Sequence, residues 1–300
     1  MLSQLHIILT YTCNKECDHC FVYSSPEAKG TFTSIQLDNV IEEAKKIGSI
    51  EWIYFEGGEP FLFFPLMVDA IKKAKMSGFK VGIVSNGYWA TSEENSRFYL
   101  KILKELEIDD LSVSDDCFHI NFEEDHPGPV LEKVAFDLQL PYNILALKDI
   151  NDPIHDEKKG YRKGQPITGG DIRFTGRAVE KLTEGMPIKK STIFNMCTKE
   201  ELVEPIRVHL DPYGNVHICQ GITIGNFEEI PLSEIISNYD PYTHPIVSQL
   251  LKGGPLELAK HYGIPFKERF VDGCHMCYEI RKDLRSYHPE FLQPNQIYND

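Results

Sequence analysis

Through its first half the chain alternates short apolar runs with longer segments in which apolar residues return every three or four positions, the pattern of strands alternating with amphipathic helices. Strands are predicted at 5–10, 51–55, 79–84, 109–114 and 143–147, and helices at 34–47, 62–77, 92–107 and 129–139. Thr33 or Ser34, and Ser92, offer side-chain oxygens to helix starts, while Gly48 and Gly78 stand where helices should end. Repeated βα units call for a mostly parallel sheet. The pattern lapses near residue 148. Residues 148–190, rich in Lys, Asp, Gly and Pro, read as a long surface loop of the kind that serves as a lid or binding segment, with a short helix resuming at 176–185. A sixth strand is predicted at 191–195 and a hairpin at 206–218, turning on Asp211-Pro212-Tyr213-Gly214-Asn215. A loop with Gly221 and Gly225 follows, then helices at 232–238, 244–251 and 255–262, and a tail from Glu290. With no seventh or eighth βα unit, an open partial barrel is expected rather than a closed one.

At 300 residues the chain can bury one large domain, or a main domain with a smaller one beside it. No apolar stretch is long enough to span a membrane and the first ten residues lack the marks of a secretion signal, so a cytoplasmic protein is expected. The net charge of −14 disfavours nucleic acid and anionic membrane surfaces and favours a neutral or basic substrate. In such a compartment the eight cysteines read as metal ligands or reactive groups before they read as disulfides. They form a front group (Cys13, Cys17, Cys20), a lone Cys117, and a rear group (Cys197, Cys219, Cys274, Cys277).

The front group reads Cys13-Asn14-Lys15-Glu16-Cys17-Asp18-His19-Cys20, directly after the first strand. Three thiolates on one loop can hold three corners of a cubic iron–sulfur cluster and leave the fourth iron open, whereas structural zinc would need a fourth ligand from His19, His6 or the rear group. Glu56-Gly57-Gly58-Glu59-Pro60 follows strand two, where glycines let a ligand approach the backbone and Glu59 adds a carboxylate; alone it would pass for an ordinary turn. Ser85-Asn86-Gly87 ends strand three and Ser114-Asp115-Asp116-Cys117-Phe118-His119 ends strand four. Barrel-like folds collect their catalytic loops at such strand ends.

Together these features resemble the radical S-adenosylmethionine (radical SAM) family. The resemblance implies a TIM-like partial (βα)6 barrel over 1–195 and a [4Fe-4S] cluster on Cys13, Cys17 and Cys20, its open iron chelated by the methionine amine and carboxylate of S-adenosyl-L-methionine. It places His19 against the adenine, and likens Gly57, Gly58, Glu59 and Pro60 to the family's Gly-Gly-Glu-Pro motif, which receives the methionine ammonium. Ribose and carboxylate contacts fall to Asn86, Ser114 and Asp116, with His119 on the substrate side. The rear cysteines supply four soft ligands, and spacing alone does not separate zinc from a second cluster. With the hairpin and Ile224-Gly225-Asn226 they resemble the twitch domain, the front half of the longer SPASM domain. That implies an auxiliary [4Fe-4S] cluster on Cys197, Cys219, Cys274 and Cys277 in a small α+β domain at 196–285, followed by a tail at 286–300.

The family chemistry implied is reductive cleavage of S-adenosylmethionine to a 5′-deoxyadenosyl radical that abstracts a substrate hydrogen, with the auxiliary cluster accepting an electron. A net oxidation fits, with flavodoxin or ferredoxin as external electron donor. The substrate expected is a ribosomally made peptide that is oxidised or crosslinked. Because the chain begins almost at strand one, any leader-recognition unit is expected on a separate protein. The alternatives are a dehydrogenase of a small, sugar-like molecule, a peptide epimerase with Cys117 as hydrogen donor, and a non-catalytic metal-binding or electron-transfer protein.

Overall fold

In the computed structural model, which describes residues 1–116, 118–119, 127–147 and 172–299, the predicted alternation is realised almost element by element. It runs β1 (Gln4–Thr10), α1 (Ser34–Ile47), β2 (Trp52–Gly57), α2 (Phe64–Met76), β3 (Lys80–Ser85), α3 (Glu93–Glu105), β4 (Asp110–Ser114), α4 (Pro127–Leu138) and β5 (Asn143–Leu145). Thr33 caps α1 in a reciprocal capping box with Gln36, and Ser92 caps α3 by accepting from the Asn95 N–H. On α1 the buried residues are Leu37, Val40, Ile41 and Ala44, and on α2 they are Met67, Ala70, Ile71 and Ala74. Each set is one helical stripe, and burying each large aliphatic side chain contributes about 1.5–3 kcal/mol. Central β1 is buried from Ile7 through Thr10, as befits a parallel strand covered on both faces.

The rest of the chain comprises α5 (Arg177–Lys181), β6 (Lys189–Lys190), β7 (Arg207–Leu210), β8 (Asn215–Cys219), β9 (Ile222–Asn226), α6 (Leu232–Asn238), α7 (Pro245–Tyr262, kinked at Gly253 and Gly254), β10 (Arg269–Phe270), α8 (Gly273–Leu284) and α9 (Asn295–Tyr298). The main sheet has the order β5-β4-β3-β2-β1-β7-β8-β9, and a two-stranded pair joins β10 to β6. Strands β1 to β5 and β7 are parallel, while β8 and β9 turn back antiparallel.

Several expectations need correction. Residues 191–195 are not a strand: Ser191–Ile193 form a 3-10 turn, the Ser191 N–H donates to the Glu268 carbonyl, and the Phe194 carbonyl accepts from the Leu256 N–H. The sixth parallel strand is β7, laid on the far side of β1. The hairpin expected in a separate domain therefore continues the first sheet across the boundary drawn at 195/196. The loop with Gly221 and Gly225 contains β9, the second Cys-x-x-Cys pair starts an unforeseen helix, α8, and the tail buries Ile297 and Tyr298. The long loop lies outside the described residues from 148 to 171, as does Cys117. No helix among the described residues is long and apolar enough to cross a membrane.

Candidate active site between two cysteine groups

The C-terminal ends of β1, β2, β3 and β4 deliver the cysteine loop, Gly57, Ser85 and Ser114 to one end of the sheet. The loop is pinned from behind by buried Arg177, whose guanidinium donates to the Cys17 carbonyl at 2.8 Å and the Ser24 carbonyl at 2.9 Å. N–H groups approach the sulfurs: Lys15 N to Cys13 Sγ at 3.4 Å, Ser24 N to Cys20 Sγ at 3.3 Å, and Asn86 Nδ2 to Cys13 Sγ at 3.6 Å. Burial pushes the Cys13 thiol up to about 11 and the Cys17 thiol up to about 12. Thiols so placed ionise when a metal holds them, and the donors then stabilise the thiolates. A single tetrahedral zinc at about 2.3 Å from each sulfur would bring the sulfurs to about 3.8 Å of one another. Among the described residues no three cysteine sulfurs lie within 4.8 Å of one another, wider than three thiolates around one zinc ion.

A cavity of about 310 Å³ opens over these thiols. Of the residues expected at the cofactor, His19, Gly57, Gly58, Asn86 and Ser114 line it, as does His119. The glycines are required by the strand beneath: a Cβ on Gly57, at φ +141°, would lie 2.4 Å from the Thr10 carbonyl oxygen, and one on Gly58 would lie 2.2 Å from that of Thr12. His19 is held neutral by burial, its pKa down to about 3, and its buried Nδ1 has no hydrogen-bond partner in the protein. Glu59 and Pro60 sit behind this wall. The Glu59 carboxylate is fully buried and accepts from Ser85 Oγ at 2.8 Å and from the N–H groups of Asn86 at 2.7 Å and Phe61 at 3.1 Å. Burial raises its pKa to about 7. Its place is to position Asn86, which reaches Cys13, rather than to line the cavity.

The four rear cysteines, drawn from three separate stretches of the sequence, line one small cavity of about 40 Å³. Cys219 ends β8, while Cys274 and Cys277 lie in the first turns of α8, which Asp272 caps by accepting from the His275 N–H. Burial raises the Cys219 and Cys274 thiols and pushes Cys277 up to about 12. Two arginines that no motif marked stand beside them. Arg281 is 1% exposed, donates to the Gln220 carbonyl at 2.9 Å and has an unpartnered Nε. Arg173 pairs with Glu200 and donates to Gln220 Oε1 at 3.1 Å. Such cations suit a cluster whose thiolates make it anionic.

Between the two groups lies a cavity of about 480 Å³. It shares His19, Phe21, Glu56, Ser114, His119 and Leu145 with the first cavity and is walled on the far side by Arg173 and Gln220, the neighbour of Cys219. Asp116 also lines it. Burial disfavours its charge, but the hydrogen bond from His119 Nδ1 at 2.9 Å, the nearby histidines and the Leu147 N–H outweigh that and hold its pKa down to about 2. The remaining wall carries His6, Glu56 and His209, which sequence reading missed because β1 and β7 become neighbours only in the folded sheet. A broader groove of about 780 Å³, around Tyr213, Asn226 and Pro294, contains none of the cysteines.

The sequence profile described as the Radical SAM superfamily matches residues 7–134, the stretch holding the front cysteines and the Gly-Gly-Glu-Pro motif. YydG of Bacillus subtilis (strain 168), named for peptide biosynthesis, is 29% identical over 182 residues, 59% of this chain and 57% of its own length. The tungsten-containing aldehyde ferredoxin oxidoreductase cofactor-modifying protein of Pyrococcus furiosus is 31% identical over 109 residues, 36% of this chain and 29% of its own. The matches thus span less than two thirds of either relative. Among solved structures, BtrN in complex with AdoMet and 2-DOIA superposes with a TM-score of 0.56 at 17% identity, covering 93% of this chain and 92% of that one, a likeness of fold. Residues 7–134 are therefore similar in sequence to the radical SAM superfamily of iron–sulfur enzymes.

Proposed function

We propose that Cys13, Cys17 and Cys20 hold a [4Fe-4S] cluster with an open iron, that the adjoining cavity takes S-adenosylmethionine, and that the substrate undergoing oxidation lies in the larger cavity beyond. Cys197, Cys219, Cys274 and Cys277 would hold an auxiliary [4Fe-4S] cluster in a twitch-like arrangement. When bound, these groups would supply a hydrogen-abstracting 5′-deoxyadenosyl radical and an electron acceptor, with flavodoxin or ferredoxin as the outside source of reducing electrons. The observation that carries the reading is the shared cavity: one space reaches from His19 and Ser114, beside the front thiols, to Gln220 and Arg173, beside the rear ones. In the adjoining cavity over the front thiols, His19 offers its ring, Gly57 and Gly58 admit close backbone approach, and Asn86 and Ser114 offer hydrogen bonds. His119, fixed by Asp116, faces the substrate side.

The substrate we favour is a ribosomally made peptide undergoing oxidative modification or crosslinking, supported by the relative named for peptide biosynthesis. A leader-recognition protein would then act alongside. The cavity volume of about 480 Å³ also falls within the range that encloses a small ligand, which supports a small-molecule dehydrogenase as second reading. The first test needs no substrate: anaerobically purified chain is mixed with dithionite and S-adenosylmethionine, and 5′-deoxyadenosine is measured. Formation by the wild type and its loss in Cys17→Ala are expected. A wild type that is full of iron yet forms none would overturn the reading.

A further inference from the structure

Among the described residues, one trio of His, Cys, Asp or Glu side chains brings its ligand atoms all within 4.8 Å of one another: His6, Glu56 and His209. The sheet assembles it. His6 on β1 and His209 on β7 are register partners, and Glu56 extends from the neighbouring β2. Glu56 Oε2 lies 3.2 Å from His6 Nδ1, and Glu56 Oε1 lies 3.4 Å from His209 Nε2. All three line the cavity of about 480 Å³.

Proton positions follow from the outer partners. Arg173 can only donate, and it donates to Gln220 Oε1 at 3.1 Å, which turns the Gln220 amide nitrogen toward His209 Nε2, also at 3.1 Å. An amide NH2 is a donor, so His209 Nε2 must accept and carries its lone pair there; the ring proton falls on Nδ1, which is buried without a partner in a side chain only 6% exposed. On the other ring, His6 Nε2 lies 3.2 Å from Gln4 Oε1 and His6 Nδ1 lies 3.2 Å from Glu56 Oε2, two acceptors that share the one proton of a neutral ring. The Glu56 carboxylate thus stands between the two rings, and a cation there would take it together with His6 Nδ1 and His209 Nε2, displacing the Gln220 amide from the latter. Such a set is stable when a cation sits among them.

The separations choose the cation. Donors about 2.1 Å from a metal stand about 3.4 Å apart at tetrahedral angles, whereas acceptors about 2.8 Å from an ammonium nitrogen would stand about 4.6 Å apart. The observed 3.2 and 3.4 Å match the metal. The nearest fixed cations do not fill the place, because Arg173 and Arg207 are both turned onto Glu200. We propose that His6, Glu56 and His209 bind a divalent transition-metal ion in the wall of the larger cavity, with ligands distinct from both cysteine groups, although Glu56 also borders the cavity over the front thiols. Imidazole and carboxylate donors suit Zn²⁺, Fe²⁺ or Mn²⁺, and the positions left open face the cavity, where an oxygen of the substrate, as carboxylate or hydroxyl, would complete the coordination.

The inference goes beyond the radical chemistry and stands without it. Its test uses the full chain, purified without oxygen with its cysteine sites loaded and then freed of loose metal by chelator. Mn²⁺ is the probe, since thiolates compete poorly for it. Free Mn²⁺ is counted by its EPR spectrum, and pulsed EPR of the bound ion reads couplings to imidazole nitrogen. A single bound ion with nitrogen couplings is expected, its affinity lowered at least about tenfold in Glu56→Gln and in His209→Gln at unchanged iron content and melting temperature. No binding at millimolar Mn²⁺, bound Mn²⁺ without nitrogen coupling, or wild-type affinity in both variants would overturn it. The wild-type spectrum decides the matter if a variant fails to fold.

Discussion

The two cysteine groups are assembled by opposite means. The front three sit on one loop directly after β1, with sulfur donors taken from the backbone of that loop and from Asn86 at the end of β3. The rear four are gathered from the turn after Ser191–Ile193, the end of β8 and the start of α8, and are backed by the buried Arg281. The front group opens onto a cavity of about 310 Å³, while the rear group closes on one of about 40 Å³. A local site can lose its metal and leave the fold standing. A site made by tertiary assembly is part of what holds the fold together.

That contrast is open to direct challenge. The largest effect expected is on turnover: Cys17→Ala should cut 5′-deoxyadenosine formation at least about a hundredfold with little change in melting temperature, whereas Cys277→Ala should lower the melting temperature because cluster binding and folding are coupled there. Equal thermal losses in the two variants would erase the distinction. Next, Arg281→Met leaves the Gln220 carbonyl and the Tyr298 hydroxyl without their buried donor, and should cost about 3 kcal/mol in a urea titration of the loaded protein. Gly58→Ala should displace the front loop, since the new methyl would meet the Thr12 carbonyl; about 2 kcal/mol of stability and much of the S-adenosylmethionine affinity should go together, as read by urea midpoint and equilibrium dialysis.

The smallest effect is a pH-dependent one at Asp116, on the wall between the groups. Its pKa is depressed in the fold from 3.8 to about 2, so its contribution is complete above the unfolded value and disappears as pH falls through the folded one. Asp116→Asn should therefore cost about 2 kcal/mol at neutral pH, and the gap to wild type should shrink as pH falls from about 4 toward about 2. Urea midpoints of both proteins across that range check the slope. A gap independent of pH would mean that shape, not charge, matters at this position.

How far the sequence could be read follows the same contrast. Strands β1 to β4 and the helices between them were legible because each carries its own periodicity and caps, Thr33 and Ser92 among them. The front cysteines were legible for the same reason of locality. Residues 191–195 misled because Ile193 and Phe194 suit a strand, yet the Glu268 carbonyl takes the Ser191 N–H and the Leu256 N–H takes the Phe194 carbonyl, with Ser191–Ile193 in a turn. Strand β9 was hidden by Gly225 within it and Gly221 just before it, and Gly225 gives room to the Ile235 side chain. Arg281, Arg173 and Gln220 belong to no motif, and His6 meets His209 only because β7 joins the sheet beside β1. Glu59 was expected at the cofactor, but only the packed structure shows it fully buried behind the glycines that precede it.

The most direct measurement is the iron, acid-labile sulfide and zinc content of the chain purified without oxygen, taken on wild type and on Cys17→Ala. Two clusters flanking one cavity require about eight irons and eight sulfides per chain, no stoichiometric zinc, and about half that iron in the variant. About four irons with one zinc in the wild type would contradict the account, leaving radical chemistry at the front but no electron acceptor at the rear.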